Sequence, residues 1–196
     1  MNLTYWVRNP GFIIPRLKYL LWEYRNPDKP WLTSGAVAYL EKVLDKGMTG
    51  FEFGSGRSTR WFAQKLGSLV SIEHDEAWYH RVRAMLDRAG ATNIDYRLVP
   101  LDHPVTQPEQ PAYDALPRYV SSIDSEADET LDFVVVDGHY RTACIRSSLS
   151  KLKTGGLLLV DDLNLWPDRR AISVPSTWTM THESTNGIKS TGVWRK

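Results

Sequence analysis

The sequence contains a single cysteine and lacks any apolar run of membrane-spanning length. Cys144 has no second cysteine in the chain with which to form a disulfide, as is typical of proteins from reducing compartments. A bilayer-spanning helix needs roughly 20 apolar residues, and the N-terminus also lacks the uninterrupted apolar segment of a signal peptide. These absences predict a soluble, cytoplasmic protein.

The chain also has little net charge. Its 24 basic and 23 acidic side chains leave a formal net charge of +1. A broad basic face, which nucleic-acid binding through phosphates needs, would leave a larger positive excess. The charge therefore predicts that no nucleic acid is a partner.

The first 30 residues differ from the rest of the chain. Residues 1–30 carry five basic side chains against two acidic ones, and apolar residues are interleaved with them over 12–22. This pattern predicts a helical N-terminal extension over residues 1–30, followed by one domain over residues 31–196. The amphipathic extension could cover the domain, a second copy in a homo-oligomer or, weakly, a membrane surface.

The most informative segment follows the first apolar strand. Gly54 and Gly56 come directly after a strand predicted over 49–53, and a helical stretch follows them. Glycines let the backbone turn tightly and let a ligand approach it, and the first N–H groups of the next helix are unpaired. Ser58 fits the N-cap of that helix. The pattern predicts a loop that binds a nucleotide cofactor.

An acidic residue stands at a second strand end, about 20 positions after this loop. Glu73 closes the apolar run over 68–73, where a carboxylate can accept both hydroxyls of a ribose. Dinucleotide-binding folds show the same spacing, although Thr59 stands here where those folds have a third glycine. These residues alone leave open an NAD(P)-dependent oxidoreductase and a non-catalytic cofactor-binding module.

The later part of the chain gives weaker signals. Prolines interrupt residues 103–118, which predicts a surface loop of the kind that contributes to acceptor pockets. Apolar residues recur at helical spacing at Ile145, Leu149 and Leu152, and we predict an amphipathic helix through all three. Asn186-Gly187 separates two strand-like runs, which predicts a hairpin.

Four segments together carry a family resemblance. They are Phe-Glu-Phe-Gly-Ser-Gly at 51–56, Ser-Ile-Glu-His-Asp at 71–75, Val-Val-Asp-Gly at 135–138, and Gly-Gly-Leu-Leu-Leu-Val-Asp-Asp at 155–162. In this order they resemble a class I S-adenosylmethionine-dependent methyltransferase over roughly residues 31–195. The resemblance implies an α/β fold: a Rossmann-like, mostly parallel seven-stranded sheet with helices on both faces and an antiparallel C-terminal hairpin.

The resemblance also implies a cofactor and an activity. S-adenosylmethionine would donate a methyl group to oxygen or nitrogen of a small-molecule, sugar or peptide acceptor. The glycine turn would hold the methionine part of the cofactor, with Glu52 near its ammonium, Glu73 on the ribose and His74 beside the adenine. The predicted cofactor-binding residues are Glu52, Gly54, Ser55, Gly56, Ser58, Glu73 and His74.

Catalysis and metal binding are predicted from the ends of later strands. Asp137 and His139 follow the fourth strand, whose carboxyl end faces the cofactor in this family, and histidine titrates in the range that suits a general base. Asp161 and Asp162, with Asn164 nearby, could join Asp137 as oxygen ligands of Mg²⁺. Catechol-type relatives have an Asp-Asn pair where Asp161-Asp162 stands, so a divalent metal is an alternative that the sequence does not favour.

Overall fold

Five parallel strands form the centre of the structure, a computed structural model that describes residues 10–106 and 113–196. They are β1 (Thr49–Phe53), β2 (Ser68–Glu73), β3 (Ile94–Leu98), β4 (Leu131–Val136) and β5 (Leu152–Val160). The hairpin strands β6 (Thr179–Thr185) and β7 (Ser190–Arg195) extend the sheet in the order β3-β2-β1-β4-β5-β7-β6. Strand β7 pairs antiparallel with both β5 and β6, so within the described chain it runs opposite to the other six strands. The predicted seven-stranded, mostly parallel sheet is confirmed.

Six α-helices lie between or before these strands in the described chain. They are α1 (Ile13–Arg25), α2 (Ser34–Val43), α3 (Arg57–Lys65), α4 (Glu76–Arg88), α5 (Arg118–Ser121) and α6 (Arg141–Ser148). Side chains that precede two of them satisfy their first N–H groups: Thr33 accepts from the N–H of Ala36, and Asp75 accepts from the N–H of Trp78. None of the helices in the described ranges has the length and apolar character that crossing a bilayer requires.

The central strands are apolar on both sides because helices cover both faces of the sheet. In β4, Val134 and Val136 point into a cluster that contains residues of α5 and α6. Phe133 and Val135, which alternate with them, point into a second cluster that contains residues of α2 and α3. This alternation follows from the two-residue period of a strand, and it places helices on both faces as predicted.

The helix predicted through Leu152 is shorter than expected. Helix α6 ends at Ser148, and Leu152 begins β5, where it pairs with Leu131 of β4. The register between these strands shifts directly after that pair, which is the mark of a β-bulge. Leu152 is fully buried in β5, and an apolar residue on the inner face of a helix would be buried as well. Its apolar character alone therefore did not distinguish a helix from a strand.

Candidate cofactor site and its neighbouring cavity

A cleft of about 480 Å³ opens at the carboxyl ends of β1, β2 and β4. Its walls contain Gly54, Ser55, Glu73, His74, Asp75, Trp78, Asp137, Gly138, His139 and Arg141. Six of the nine residues predicted for the cofactor and the chemistry therefore lie in one cleft. The other three, which do not line it, are Glu52, Gly56 and Ser58.

Two glycine turns form the floor of this cleft. Gly54 has a φ of +92°, and a Cβ atom built on it would lie 2.7 Å from both the N and the Cα of Gly138. A Cβ atom on Gly138 would in turn overlap the hydroxyl of Tyr119. The backbones that follow β1 and β4 can therefore approach this closely only because neither residue has a side chain.

Glu73 is held rigidly in the cleft wall. One carboxylate oxygen accepts from the backbone N–H groups of His74 and Asp75 at 2.8 and 2.9 Å. The other accepts from the N–H and the hydroxyl of Ser55 at 3.2 and 2.6 Å. Trp78 fixes the same turn, because its indole N–H donates to the carbonyl of Ser55 at 2.9 Å. Sequence reasoning found Glu73 but did not identify Trp78 as part of the cleft.

Glu52 lies beneath the glycine turn, with no exposed surface. Its carboxylate accepts hydrogen bonds of 2.6 Å from the hydroxyls of Ser58, Thr59 and Ser71. Thr59 also accepts from the N–H of Gly56 at 2.9 Å, so Glu52 holds this part of the turn through a hydroxyl. Burial raises the pKa of Glu52 to about 7, although the three hydroxyl donors act in the opposite direction.

This arrangement differs from the sequence expectation in two respects. Ser58 is not the N-cap of α3: the helix begins at Arg57 and is capped by Gly56, so the Ser58 hydroxyl lies within the first turn and donates to Glu52. The carboxylate of Glu52 is occupied by side chains of this chain and does not line the cleft. Direct contact of Glu52 with the cofactor stays a prediction.

Arg141 joins the turn after β4 to the end of β5. Its side chain is 90% buried and donates to the carbonyls of Asp161 at 2.6 Å and Gly138 at 2.9 Å. The same guanidinium lies 3.3 Å from a carboxylate oxygen of Asp137 and 3.1 Å from one of Asp162. Arg141 therefore connects the end of β4, where the candidate catalytic residues stand, to the end of β5, where two of the candidate metal ligands stand.

The carboxylates of Asp137, Asp161 and Asp162 offer oxygens within 4.8 Å of one another. Burial, followed by the negative charge of Asp161, raises the pKa of Asp137. Lys189, from the turn before β7, forms an ion pair with buried Asp161; burial opposes its charge, but the carboxylates raise its pKa overall. The positive charges of Arg141 and Lys189 thus already compensate these carboxylates. This favours an ion-pair network over a divalent metal site.

A second, larger cavity adjoins the cleft. It has a volume of about 900 Å³, and its lining is mainly apolar, with Val105, Leu165, Trp166 and Pro167 among its residues. The two cavities share Gly138, His139 and Arg141. They therefore meet at the turn after β4.

The predicted proline-rich loop borders this second cavity. Val105 and Thr106 line it, while residues 107–112 lie outside the described part of the chain. His139 lines both cavities, and its ring lies edge-to-face with the ring of His74 at a centroid distance of 4.4 Å. His139 therefore faces both spaces.

The family model described as a methyltransferase domain matches residues 51–163, more than half of the chain. The chain belongs to this methyltransferase family. The match begins in β1 and extends past the carboxylates that follow β5, so it contains the whole cleft. It confirms the resemblance to class I S-adenosylmethionine-dependent methyltransferases and decides against the oxidoreductase and the non-catalytic module.

Solved structures with the same fold include other methyltransferases. A methyltransferase-like protein from Silicibacter pomeroyi has a TM-score of 0.61 at 19% identity and covers 85% of this chain and 88% of its own. SMU.1697c from Streptococcus mutans, solved in complex with SAH, has a TM-score of 0.57 at 14% identity, and the match covers 81% of this chain and 94% of that protein. An rRNA methylase from Streptococcus thermophilus has a TM-score of 0.56 at 15% identity, and the match covers 81% of this chain and 92% of that protein. No curated protein matches the chain significantly.

The expectation from net charge that no nucleic acid is a partner was wrong. The fold of this methyltransferase is also that of an rRNA methylase. The whole-chain net charge of +1 does not decide the matter, because an acceptor contacts only a local surface and not the sum of all side chains. The acceptor must therefore be inferred from the cavity that it enters.

Proposed function

We propose that this methyltransferase binds S-adenosylmethionine in the 480 Å³ cleft and methylates an acceptor that enters the adjoining cavity. The proposal depends on one observation: the two cavities meet at Gly138 and His139. A group-transfer reaction needs the donor and acceptor in neighbouring spaces with a shared opening. The turn after β4 provides that opening.

The residues of the cleft fit this cofactor. Glu73 presents a carboxylate that is fixed by three backbone N–H groups and one hydroxyl, which suits a ribose diol. Asp75 and Asp137 add further negative charge to the lining. When bound, S-adenosylmethionine supplies a methyl group on a positively charged sulfur. An acidic cleft suits that charge.

Replacing Glu73 by glutamine tests the cofactor assignment. The variant keeps the size of the side chain but replaces an acceptor oxygen with an NH₂ group, so we expect S-adenosylmethionine to bind about tenfold more weakly or worse. Calorimetric titration of the purified protein measures this directly. Glu76→Gln is the matched control, since the Glu76 side chain lies at the start of α4 and is 78% exposed. Equal affinity in both variants would place the ribose elsewhere.

We propose that His139 takes the proton that the acceptor oxygen or nitrogen loses. Its position at the junction of the cavities supports this role. Asp137, two residues earlier, would pair with Arg141 and so offset part of the positive charge of that guanidinium beside His139.

A His139→Gln variant separates this role from cofactor binding. We expect turnover about 100-fold lower, within the range of general base catalysis, and an unchanged affinity for S-adenosylmethionine. The measurement is transfer of a labelled methyl group to an acceptor identified by screening, across a pH series. His80→Gln is the control, because His80 is exposed on α4. Unchanged turnover in His139→Gln would remove this residue from the chemistry.

A further inference from the structure

We infer that Trp31 is a positioning residue for the cofactor site, which it influences from outside the cleft through Trp78. Trp31 belongs to the segment that joins α1 to α2, residues 26–33, which we call the strap. The inference rests on the proposed function in naming S-adenosylmethionine as the ligand of the cleft. The contacts that support it are properties of the chain alone.

The cofactor turn needs support from its surroundings. Residues 54–56 contain two glycines, and glycine has the most mobile backbone of all residues. A binding loop gains affinity when it is already held in its bound conformation. Buried side chains accept from the N–H groups of Ser55 and Gly56, while the half-buried indole of Trp78 donates to the carbonyl of Ser55 at 2.9 Å. The orientation of the Trp78 ring therefore affects the turn.

Trp31 packs on the indole ring of Trp78. The two ring planes lie within 23° of parallel, and their centroids are 6.4 Å apart, a distance at which aromatic rings attract each other. Asp75 fixes the backbone of Trp78 by accepting its N–H at 2.6 Å, and the contact with Trp31 restrains the ring itself. Trp31 does not line the cleft, so its effect on a ligand there is indirect.

Arg57 connects the strap to the same turn. Its guanidinium lies over the ring of Trp31, 5.2 Å from the centroid, in a cation–π contact. It also donates to the carbonyls of Asn26, at 3.5 Å, and Pro27, just past the C-terminal end of α1, where positive charge is favoured. Because Arg57 directly follows the glycine turn, the strap supports the turn here as well as through Trp78.

The other polar contacts of the strap with α2 and α3 include two exposed ion pairs. Asp28 pairs with Arg60 at 3.1 Å, and Lys29 pairs with Glu41. Such pairs contribute little because water screens them. Trp31 is 46% exposed, so its replacement should cost little stability. A loss of cofactor affinity without a loss of stability therefore distinguishes positioning from folding.

Replacing Trp31 by alanine tests the inference in two measurements. Calorimetric titration should show that S-adenosylmethionine binds about tenfold more weakly, because the aromatic and cation–π contacts are each worth a few-fold. The Tm should stay close to the parental value. Amide hydrogen exchange, measured without cofactor, should be about tenfold faster at Ser55 and Gly56, whose N–H groups are hydrogen-bonded. Exchange at Val135 in β4 should not change.

Three further variants test the route. Trp31→Phe keeps an aromatic ring and should restore most of both losses. Tyr24→Ala removes a ring that is 84% exposed on α1 and should change neither measurement. Trp78→Phe removes the indole N–H that holds the carbonyl of Ser55, so Trp31 then has no such bond to position. In that background, Trp31→Ala should weaken binding by less than a further twofold, which a double-mutant cycle measures.

The outcomes separate this inference from the proposed function. If the parental protein does not bind S-adenosylmethionine, the cofactor assignment fails, while faster exchange in Trp31→Ala would still support the role of the strap. Parental exchange rates in Trp31→Ala would overturn the inference whether or not the cofactor binds. Where the cofactor binds, three results would also overturn it: parental affinity in Trp31→Ala, a loss that Trp31→Phe does not restore, or additive losses in the double variant.

Discussion

Replacing Gly54 by valine should lower the affinity for S-adenosylmethionine by about 100-fold or more. Gly54 has a φ of +92°, a conformation that a β-branched residue rarely adopts, and its Cβ atom would lie 2.7 Å from the backbone of Gly138. The side chain would therefore push apart the two turns that form the floor of the cleft. Calorimetric titration measures the loss, and circular dichroism shows whether the variant is folded.

A second glycine variant separates ligand contact from folding. A Cβ atom on Gly56 would meet no atom of the described residues within 4 Å, and the residue has an extended φ of 172°. Gly56→Ala should therefore keep the thermal stability of the parent protein. It should still weaken S-adenosylmethionine binding if the cofactor fills that space. Parental affinity in both variants would mean that the cofactor lies away from this turn.

Replacing Arg141 by methionine should destabilise the fold by about 3–5 kcal/mol, the usual cost of removing one partner from a buried ion pair. Methionine keeps much of the apolar volume of the side chain but leaves Asp137 and Asp162 without their guanidinium partner. For a chain of this size we expect a fall in Tm of about 10 °C. Urea denaturation and calorimetry provide the measurement, with Arg170→Met as the exposed control expected to leave stability nearly unchanged.

The effect of Arg141→Met should depend on pH. Burial already raises the pKa of Asp137, and the Arg141 charge opposes that shift, so the variant should raise the pKa further. A carboxyl whose pKa is higher in the folded than in the unfolded state loses folding stability as pH rises through the folded value. The pKa of Asp137 in the parent protein is about 8, so the part of the deficit that Asp137 causes should appear as pH rises through that value and should grow up to the higher pKa of the variant. A deficit that is constant with pH would show that lost packing, not charge, causes it.

Sequence patterns predicted the parts of this protein that depend on neighbouring residues. The glycine turn and Glu73 were found because each stands at the end of an apolar strand, and parallel strands bring those ends to one edge. The hydroxyls around Glu52 come from α3 and β2, and nothing in the local sequence indicates that they converge. Lys189 pairs with Asp161 across 28 positions of the chain.

Other features could not be deduced from sequence because they depend on shape. The division into two adjoining cavities appears only when the turn after β4 is placed between them. The number of charges in the chain, which suggested that nucleic acid is not a partner, contains no information about this separation. Thr59 was considered only as a missing glycine, whereas its hydroxyl links Gly56 to Glu52. The sequence did contain a signal for this role, because a hydroxyl side chain stands at Thr59 where the dinucleotide-binding pattern has a glycine.

The position of β7 has a consequence for the synthesis of this protein. Ser190–Arg195 enters the sheet between β5 and β6, both of which leave the ribosome earlier. Until β7 emerges, the backbone of residues 157–160 lacks its antiparallel partner and forms an open, apolar edge that favours aggregation. Lys189 reaches Asp161 at the same moment. The nascent chain therefore completes this part of the sheet and forms the Asp161–Lys189 ion pair together, once β7 has emerged.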